Sequence, residues 1–249
     1  MRAIILAAGA GLRLGQHTKD IPKALLDLNG KSILERQISL LRQHGINEIF
    51  VVTGYQREKH TLKDIEYIFN PRYAETEQLA SMMVARTKIS DDVLVIFGDI
   101  VFDGQILQQI LASNDDIAMA IDLNWEKSYN DGLCNSHPLD EPVLINQKKV
   151  LRISYKQTDT MIENQTVGEF LGVIKLSANG SRTIIKKYEE LEKSHVGRFH
   201  DANSLEKAKL ADILQELIDS KIEISFIAVN GKWCEIDTAK DLERARKIF

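Results

Sequence analysis

Cysteine is scarce: the chain has two, Cys134 and Cys234, far apart and outside any Cys-x-x-Cys pair. Two such thiols make no disulfide framework, so they read as free thiols of a reducing, cytoplasmic compartment. Proline is equally sparse, with four residues, and aromatic residues make up only 6%. That excludes a proline-rich linker protein. Excess positive charge is missing too: 32 basic against 36 acidic residues leave a formal net charge of −4. A protein that coats nucleic acid needs clustered cations, so none is expected as partner. Long apolar runs are also absent. Ile4 to Ala8 is too short for a secretory leader and is interrupted at once by glycines and Arg13. No window approaches the roughly 18 to 20 apolar residues of a membrane span, and no membrane partner is expected. The six histidines show no metal-ligand spacing.

What remains is ordinary globular material: 249 residues, 44% hydrophobic and 27% charged. That suits one α/β domain over residues 1–249 with a substantial core. Strand-like apolar runs at 2–8, 48–53, 93–97 and 116–121 alternate with helical spacing at 33–44, 79–86 and 105–112. The alternation predicts a Rossmann-like α/β fold, a mostly parallel sheet with helices on both faces. Residues from about 124 to 166 are more polar and include Pro138 and Pro142, which predicts a small lid or insertion over the cleft. A strand at 170–176, helices at 181–192 and 205–220, a strand at 222–229 and a helix from Thr238 complete the pattern.

Chemistry concentrates in residues 6–15, LAAGAGLRLG, followed by Pro22-Lys23. A strand ends there, and Gly9 and Gly11 allow a loop whose backbone N–H groups face an anion. Arg13 adds a forked guanidinium and Lys23 a point charge, which together describe a polyphosphate cradle. A dinucleotide-binding loop fits less well. The third glycine, Gly15, comes one position late, Pro22 interrupts any long helix, and Asp27 precedes an Asn-Gly turn instead of ending a strand.

LAAGAGLRLG followed by PKALLDLNGKSILER resembles the signature of the sugar-phosphate nucleotidyltransferase superfamily. Val51-Val52-Thr53-Gly54-Tyr55, Phe97-Gly98-Asp99 and Trp233-Cys234-Glu235-Ile236-Asp237-Thr238 fall in the same order as in that family. The resemblance implies a GT-A type fold and a Mg²⁺-dependent transfer of a nucleoside monophosphate from an NTP to an anionic acceptor. It implies a nucleotide site made of Leu6, Ala7, Ala8, Gly9, Ala10, Gly11, Arg13, Lys23, Gly54, Thr76, Ser81 and Gly98. Asp99 ends an apolar strand where ligands bind in such sheets, and its hard oxygen suits Mg²⁺. Alternation puts Glu235 and Asp237 on one face of an extended segment. The resemblance makes Asp237 the second metal ligand, although it could equally cap the last helix.

Asn70-Pro71-Arg72-Tyr73 through Ser81 resembles a segment of the cytidylyltransferases, and Gly168-Glu169-Phe170-Leu171-Gly172 one of the phosphonate-activating enzymes. The phosphonate and phosphocholine cytidylyltransferases are therefore the expected subgroup, with CTP as nucleotide. The acceptor would be a small phosphonate or phosphorylated alcohol such as 2-aminoethylphosphonate, 2-hydroxyethylphosphonate or phosphocholine. Lys156 resembles the lysine that meets the acceptor's phosphoryl group, making Arg13, Lys23 and Lys156 the expected catalytic cations. Trp125, Lys156 and Glu169 are the expected acceptor contacts. The chain departs from the subgroup at Glu77 and Gln78, where asparagines are more usual, which leaves the acceptor open. The alternatives are a hexose-1-phosphate transferase using UTP, dTTP or GTP, and a nucleotide-sensing subunit without catalysis. A homodimer is compatible with either reading.

Overall fold

A computed structural model describes residues 1–130, 141–146, 149–153 and 166–249. Strand β1 (Arg2–Ala7) is followed by a 3-10 segment (Leu12–Thr18), a second one (Lys23–Leu25), and a short hairpin of β2 (Asp27–Leu28) and β3 (Lys31–Ser32). Helix α1 (Ile33–Gln43) starts on a reciprocal cap. The Ser32 hydroxyl accepts from the Glu35 amide while the Glu35 carboxylate accepts from the Ser32 amide. It stops at Gly45, which takes φ 80. Then come β4 (Glu48–Thr53), β5 (Glu66–Phe69), α2 (Gln78–Val84), β6 (Val93–Phe97), β7 (Ile100–Phe102), α3 (Gly104–Leu111) and β8 (Ile117–Asp122). The remainder holds α4 (Trp125–Asn130), β9 (Pro142–Asn146), β10 (Lys149–Ile153), β11 (Thr166–Leu176), α5 (Ala178–Ser194), α6 (Leu210–Asp219), β12 (Ser225–Ala228), β13 (Trp233–Glu235) and α7 (Ala239–Ile248).

Among the described residues, nine strands form one sheet in the order β5-β4-β1-β6-β11-β8-β12-β10-β9. Strands β5, β4, β1 and β6 are mutually parallel. Every residue of β6 is buried, as a strand covered on both faces requires. The expected α/β, Rossmann-like architecture is present, but the sheet is mixed instead of mostly parallel. β11 runs antiparallel to both neighbours, β6 and β8. Eleven residues long, it meets three partners: Val173 to Leu176 pairs with β6, Thr166 to Glu169 with β9, and both Glu169-Phe170 and Ile174 to Leu176 with β8, across a register shift. The segment expected as a lid contributes β9 and β10, which pair with each other and join the sheet through β11 and β12.

The main core lies on both faces of the sheet. A second apolar cluster, including Leu14, Leu28, Ile33, Cys234 and Leu242, sits under α7 and the β7–β13 ribbon. That second cluster anchors the glycine loop after β1 and the carboxy-terminal segment to the same body. Among the described residues, no helix is long and apolar enough to cross a membrane.

Candidate active site

The carboxyl ends of β1, β4 and β6 lie side by side, because these strands pair in register. Ligands bind at such strand ends in open α/β sheets. Three turns meet there: Ala8 to Gly11, Gly54 and Gly98-Asp99. Gly11 has φ 63, in the left-handed region where a glycine is least strained. The Thr18 hydroxyl donates to the Gly11 carbonyl at 2.8 Å and closes the loop. Gly54 and Gly98 are needed for close approach. A Cβ on Gly54 would lie 2.6 Å from the Ala8 carbonyl oxygen, and one on Gly98 2.7 Å from that of Leu6.

Asp99 and Asp237 meet because β7 and β13 pair antiparallel, with Ile100 opposite Glu235. The pairing continues one step further, where the Ile236 amide donates to the Asp99 carbonyl at 2.9 Å. Gln37 of α1 braces the turn before β7: its buried side-chain amide donates to the carbonyls of Phe97 and Ile100, at 2.8 and 2.7 Å. Beyond β13, the Asp237 amide donates to Asp241, whose carboxylate also completes the Thr238 cap of α7.

Four charges interlock. Lys23 Nζ contacts Asp99 Oδ2 at 2.8 Å and also bonds Asp237 Oδ1. Arg13 Nη2 contacts Asp237 Oδ2 at 2.6 Å. Burial pulls the Lys23 pKa down, but the charges of Asp99, Asp237 and Glu235 outweigh it and hold the ammonium above its ordinary range. Glu235 sits beside them. Burial first, then the like charges of Asp99 and Asp237, push its carboxyl well above the usual carboxylate range.

Asp99, Glu235 and Asp237 each present an oxygen within 4.8 Å of the others. Asp99 Oδ1 is buried and has no hydrogen-bond partner among the described residues. An octahedral Mg²⁺ with oxygen ligands at about 2.1 Å sets those oxygens roughly 3 to 4 Å apart, so this set fits the ion with little closure. An all-oxygen donor set is also the one such a hard cation prefers.

The cluster opens into a cavity of about 740 Å³, a volume typical of small-molecule sites. Of the expected nucleotide residues, Leu6, Ala8, Gly9, Ala10, Gly11, Arg13, Lys23, Thr76 and Ser81 line it. Ala7, Gly54 and Gly98 stand behind that surface and shape it. Thr76 and Ser81 are held by one residue, Asn70, whose side-chain amide donates to both hydroxyls at 3.1 and 3.0 Å.

The expected acceptor contacts are placed differently. Trp125 donates from its indole to the Val167 carbonyl at 3.2 Å and is not among the lining residues. Glu169 is buried and accepts from the Glu141 amide at 3.2 Å, so Glu141, instead of Glu169, faces the cavity. Lys156 lies outside the described residues. Sequence reading missed Glu141, Lys209 and Gln37 as site residues and did not count Glu235 as a ligand. Only Glu235 carried a signal, its alternation with Asp237.

A family model described as a MobA-like NTP transferase domain matches residues 3–158. The CTP:phosphoglutamine cytidylyltransferase of Campylobacter jejuni subsp. jejuni serotype O:2 is 29% identical over 98% of this chain and 98% of its own length. The choline-phosphate cytidylyltransferase of Streptococcus pneumoniae is 36% identical over 38% of this chain and 43% of its own. The structure of the inositol-1-phosphate CTP transferase from T. maritima superposes with a TM-score of 0.74 at 22% identity. It covers 99% of this chain and 95% of that one, a likeness of fold.

Proposed function

The chain belongs to the MobA-like NTP transferase domain family, and from that premise we propose that it transfers CMP from CTP to a small phosphonate or phosphorylated acceptor, releasing pyrophosphate. The carrying observation is the joining of a glycine loop to a three-carboxylate cluster within one cavity. Among the described residues, the cavity's lining holds five carboxylates, Glu77, Asp99, Glu141, Glu235 and Asp237, against three cations, Arg13, Lys23 and Lys209. Such a surface suits a triphosphate only together with a divalent cation. The full-length likeness to a CTP-using enzyme and the Asn70–Ser81 segment favour CTP over other nucleotides.

In the reaction, an oxyanion of the acceptor's phosphoryl group forms a bond to the α-phosphorus of CTP. The bond from that phosphorus to the β-phosphate bridging oxygen breaks, and its electron pair leaves on pyrophosphate. The nucleophile is already ionised at neutral pH, so no strong base is required and catalysis is positioning and charge stabilisation. The Gly9–Gly11 loop binds the polyphosphate. Arg13 and Lys23 neutralise charge that develops on the leaving pyrophosphate. Asp99, Asp237 and Glu235 would hold Mg²⁺, which supplies Lewis-acid stabilisation of phosphate oxygens when bound. Lys156 is assigned, on the family resemblance, to the acceptor's phosphoryl group.

The test is pyrophosphate release across five NTPs and a panel of acceptors: phosphocholine, 2-aminoethylphosphonate, 2-hydroxyethylphosphonate, inositol phosphate and hexose 1-phosphates. The CTP pairings should dominate. Faster turnover of a hexose 1-phosphate with UTP, dTTP or GTP would overturn the CTP assignment. Nucleotide binding without release from any pairing would instead favour a sensing subunit.

A further inference from the structure

The turn that carries Asp99 is fixed from three directions. The Gly98 amide donates to the Leu6 carbonyl of β1 at 2.9 Å, and the Asp99 carbonyl accepts from the Ile236 amide at 2.9 Å. The third brace is Gln37 of α1, whose side-chain amide donates to the carbonyls on either side of the turn, Phe97 at 2.8 Å and Ile100 at 2.7 Å. The first two braces run from main chain to main chain. The third is made by a side chain, so it depends on residue type. Helix α1 gives it a firm base, because the Ser32–Glu35 cap closes the helix start and the buried face packs into the main core.

Gln37 interrupts an apolar surface to do this. It is 2% exposed and shares the buried face of α1 with Leu34, Ile38 and Leu41. Its orientation is not open to reversal: both carbonyls can only accept, so the NH2 end must face them. That leaves Oε1 buried with no hydrogen-bond partner among the described residues. A buried acceptor in that state destabilises the fold, and such departures from local rules are expected where a site demands them. The site's demand is visible at Asp99. Lys23 bonds its Oδ2, while Oδ1 is buried without a partner among the described residues, so the aim of the carboxylate follows the backbone of the turn.

We propose that Gln37 is a positioning residue for the carboxylate cluster, setting its metal affinity by holding the turn that aims Asp99. The inference rests on the nucleotidyl-transfer reading with Asp99 as a metal ligand, and it adds to that machinery a residue outside the cavity lining. Two donors on the two ends of a four-residue turn fix the separation of those ends, and with it the direction in which the Asp99 side chain leaves the sheet. Mg²⁺ demands near-ideal octahedral geometry, so a small swing of one ligand weakens it. Outer residues that orient a ligand change metal affinity or rate by about 10- to 100-fold.

The experiment uses two substitutions and one control. Gln37→Leu removes both donors, and Gln37→Glu keeps the size while removing the NH2 group. Mn²⁺ binding, followed by electron paramagnetic resonance without nucleotide, should weaken at least about 10-fold in each. The Mg²⁺ concentration that half-saturates pyrophosphate release should rise by a similar factor. Ile38→Ala opens a cavity on the same helix face and touches no part of the turn's bracing. It should lower Tm while leaving Mn²⁺ affinity within about twofold of the parent. Unchanged Mn²⁺ binding in a folded Gln37 variant overturns the proposal. So does an equal weakening in Ile38→Ala, which would mark a general loosening. If neither Gln37 variant folds, the residue serves the fold alone and the proposal fails. If Asp99→Asn leaves Mn²⁺ binding intact, or the parent binds no Mn²⁺, the metal assignment and the role of Gln37 fall together, while pyrophosphate release by the parent keeps the transferase reading. No release with any NTP and acceptor pair removes that reading, and Mn²⁺ binding then still decides the role of Gln37.

Discussion

Arg13 and Asp237, separated by 224 positions in the chain, meet at 2.6 Å between Nη2 and Oδ2. The other oxygen of the same carboxylate is bonded by Lys23. One nearly buried carboxylate thus joins the glycine loop to the carboxy-terminal segment, and the two cations on it stand where the proposed metal and triphosphate would compete for the same charges.

Asp99→Asn and Asp237→Asn should each lower kcat by on the order of 10²-fold or more, the scale seen when one charge-stabilising group is removed from an active site. Circular dichroism should remain that of the parent. Mn²⁺ binding followed by electron paramagnetic resonance should weaken in both. Turnover close to the parent's at saturating Mg²⁺ would take that residue out of the metal site.

Arg13→Ala should cost more in kcat than in KM for CTP. Its side chain is 64% exposed in the free chain, so it adds little to the fold and its charge remains available to the leaving group. A raised KM with unchanged kcat, read from initial rates of pyrophosphate release, would show that Arg13 only binds the nucleotide.

Gly54→Ala should lower Tm by roughly 3–10 °C, from an overpacking cost of about 1–3 kcal/mol in a chain of this size. The new methyl would sit 2.6 Å from the Ala8 carbonyl oxygen and 2.5 Å from Tyr73 Cβ, and neither neighbour can give way without moving the cavity lining. KM for CTP should rise in the same variant. A thermal scan and KM matching the parent would show that the β4 turn has slack.

His60 is buried beside Tyr67, with ring centroids 5.7 Å apart. Burial lowers its pKa to about 4, against a smaller upward pull from Glu58. The unfolded chain therefore binds a proton that the folded chain refuses between pH 6.5 and about 4. The stability from a neutral His60 is complete above pH 6.5 and is lost as pH falls towards 4. Between pH 7 and pH 5 the loss should reach up to about 2 kcal/mol. Unfolding free energies from urea titrations at the two pH values should differ less in His60→Phe than in the parent by that amount. An unchanged difference would refute the buried neutral state.

Much of the architecture was legible locally. β1, β4 and β6 are strands of five or six residues, each built on a continuous apolar run, and α1 carries its apolar residues at a spacing near 3.6; both patterns are properties of short segments. The glycine loop was legible for a similar reason: Gly9, Gly11, Arg13 and Lys23 lie within one short stretch, and all four line the cavity.

The direction of β11 was not legible, because an apolar run reads the same whether its partners are parallel or antiparallel. Glu169 looked like an acceptor contact from its neighbours in sequence. The tertiary structure turns it toward the Glu141 amide and gives the cavity to Glu141. Gln37, a polar residue on an amphipathic helix, carried no sign that it would brace two carbonyls 60 and 63 positions away. The sequence by itself determined the strand–helix alternation, the glycine loop after β1 and the charged residues that stand beside it. Only the tertiary structure decided that Asp99, Glu235 and Asp237 share one cluster and that Glu141 and Lys209 share its cavity. Those meetings depend on strand pairing and core packing between distant segments, and no local period records them.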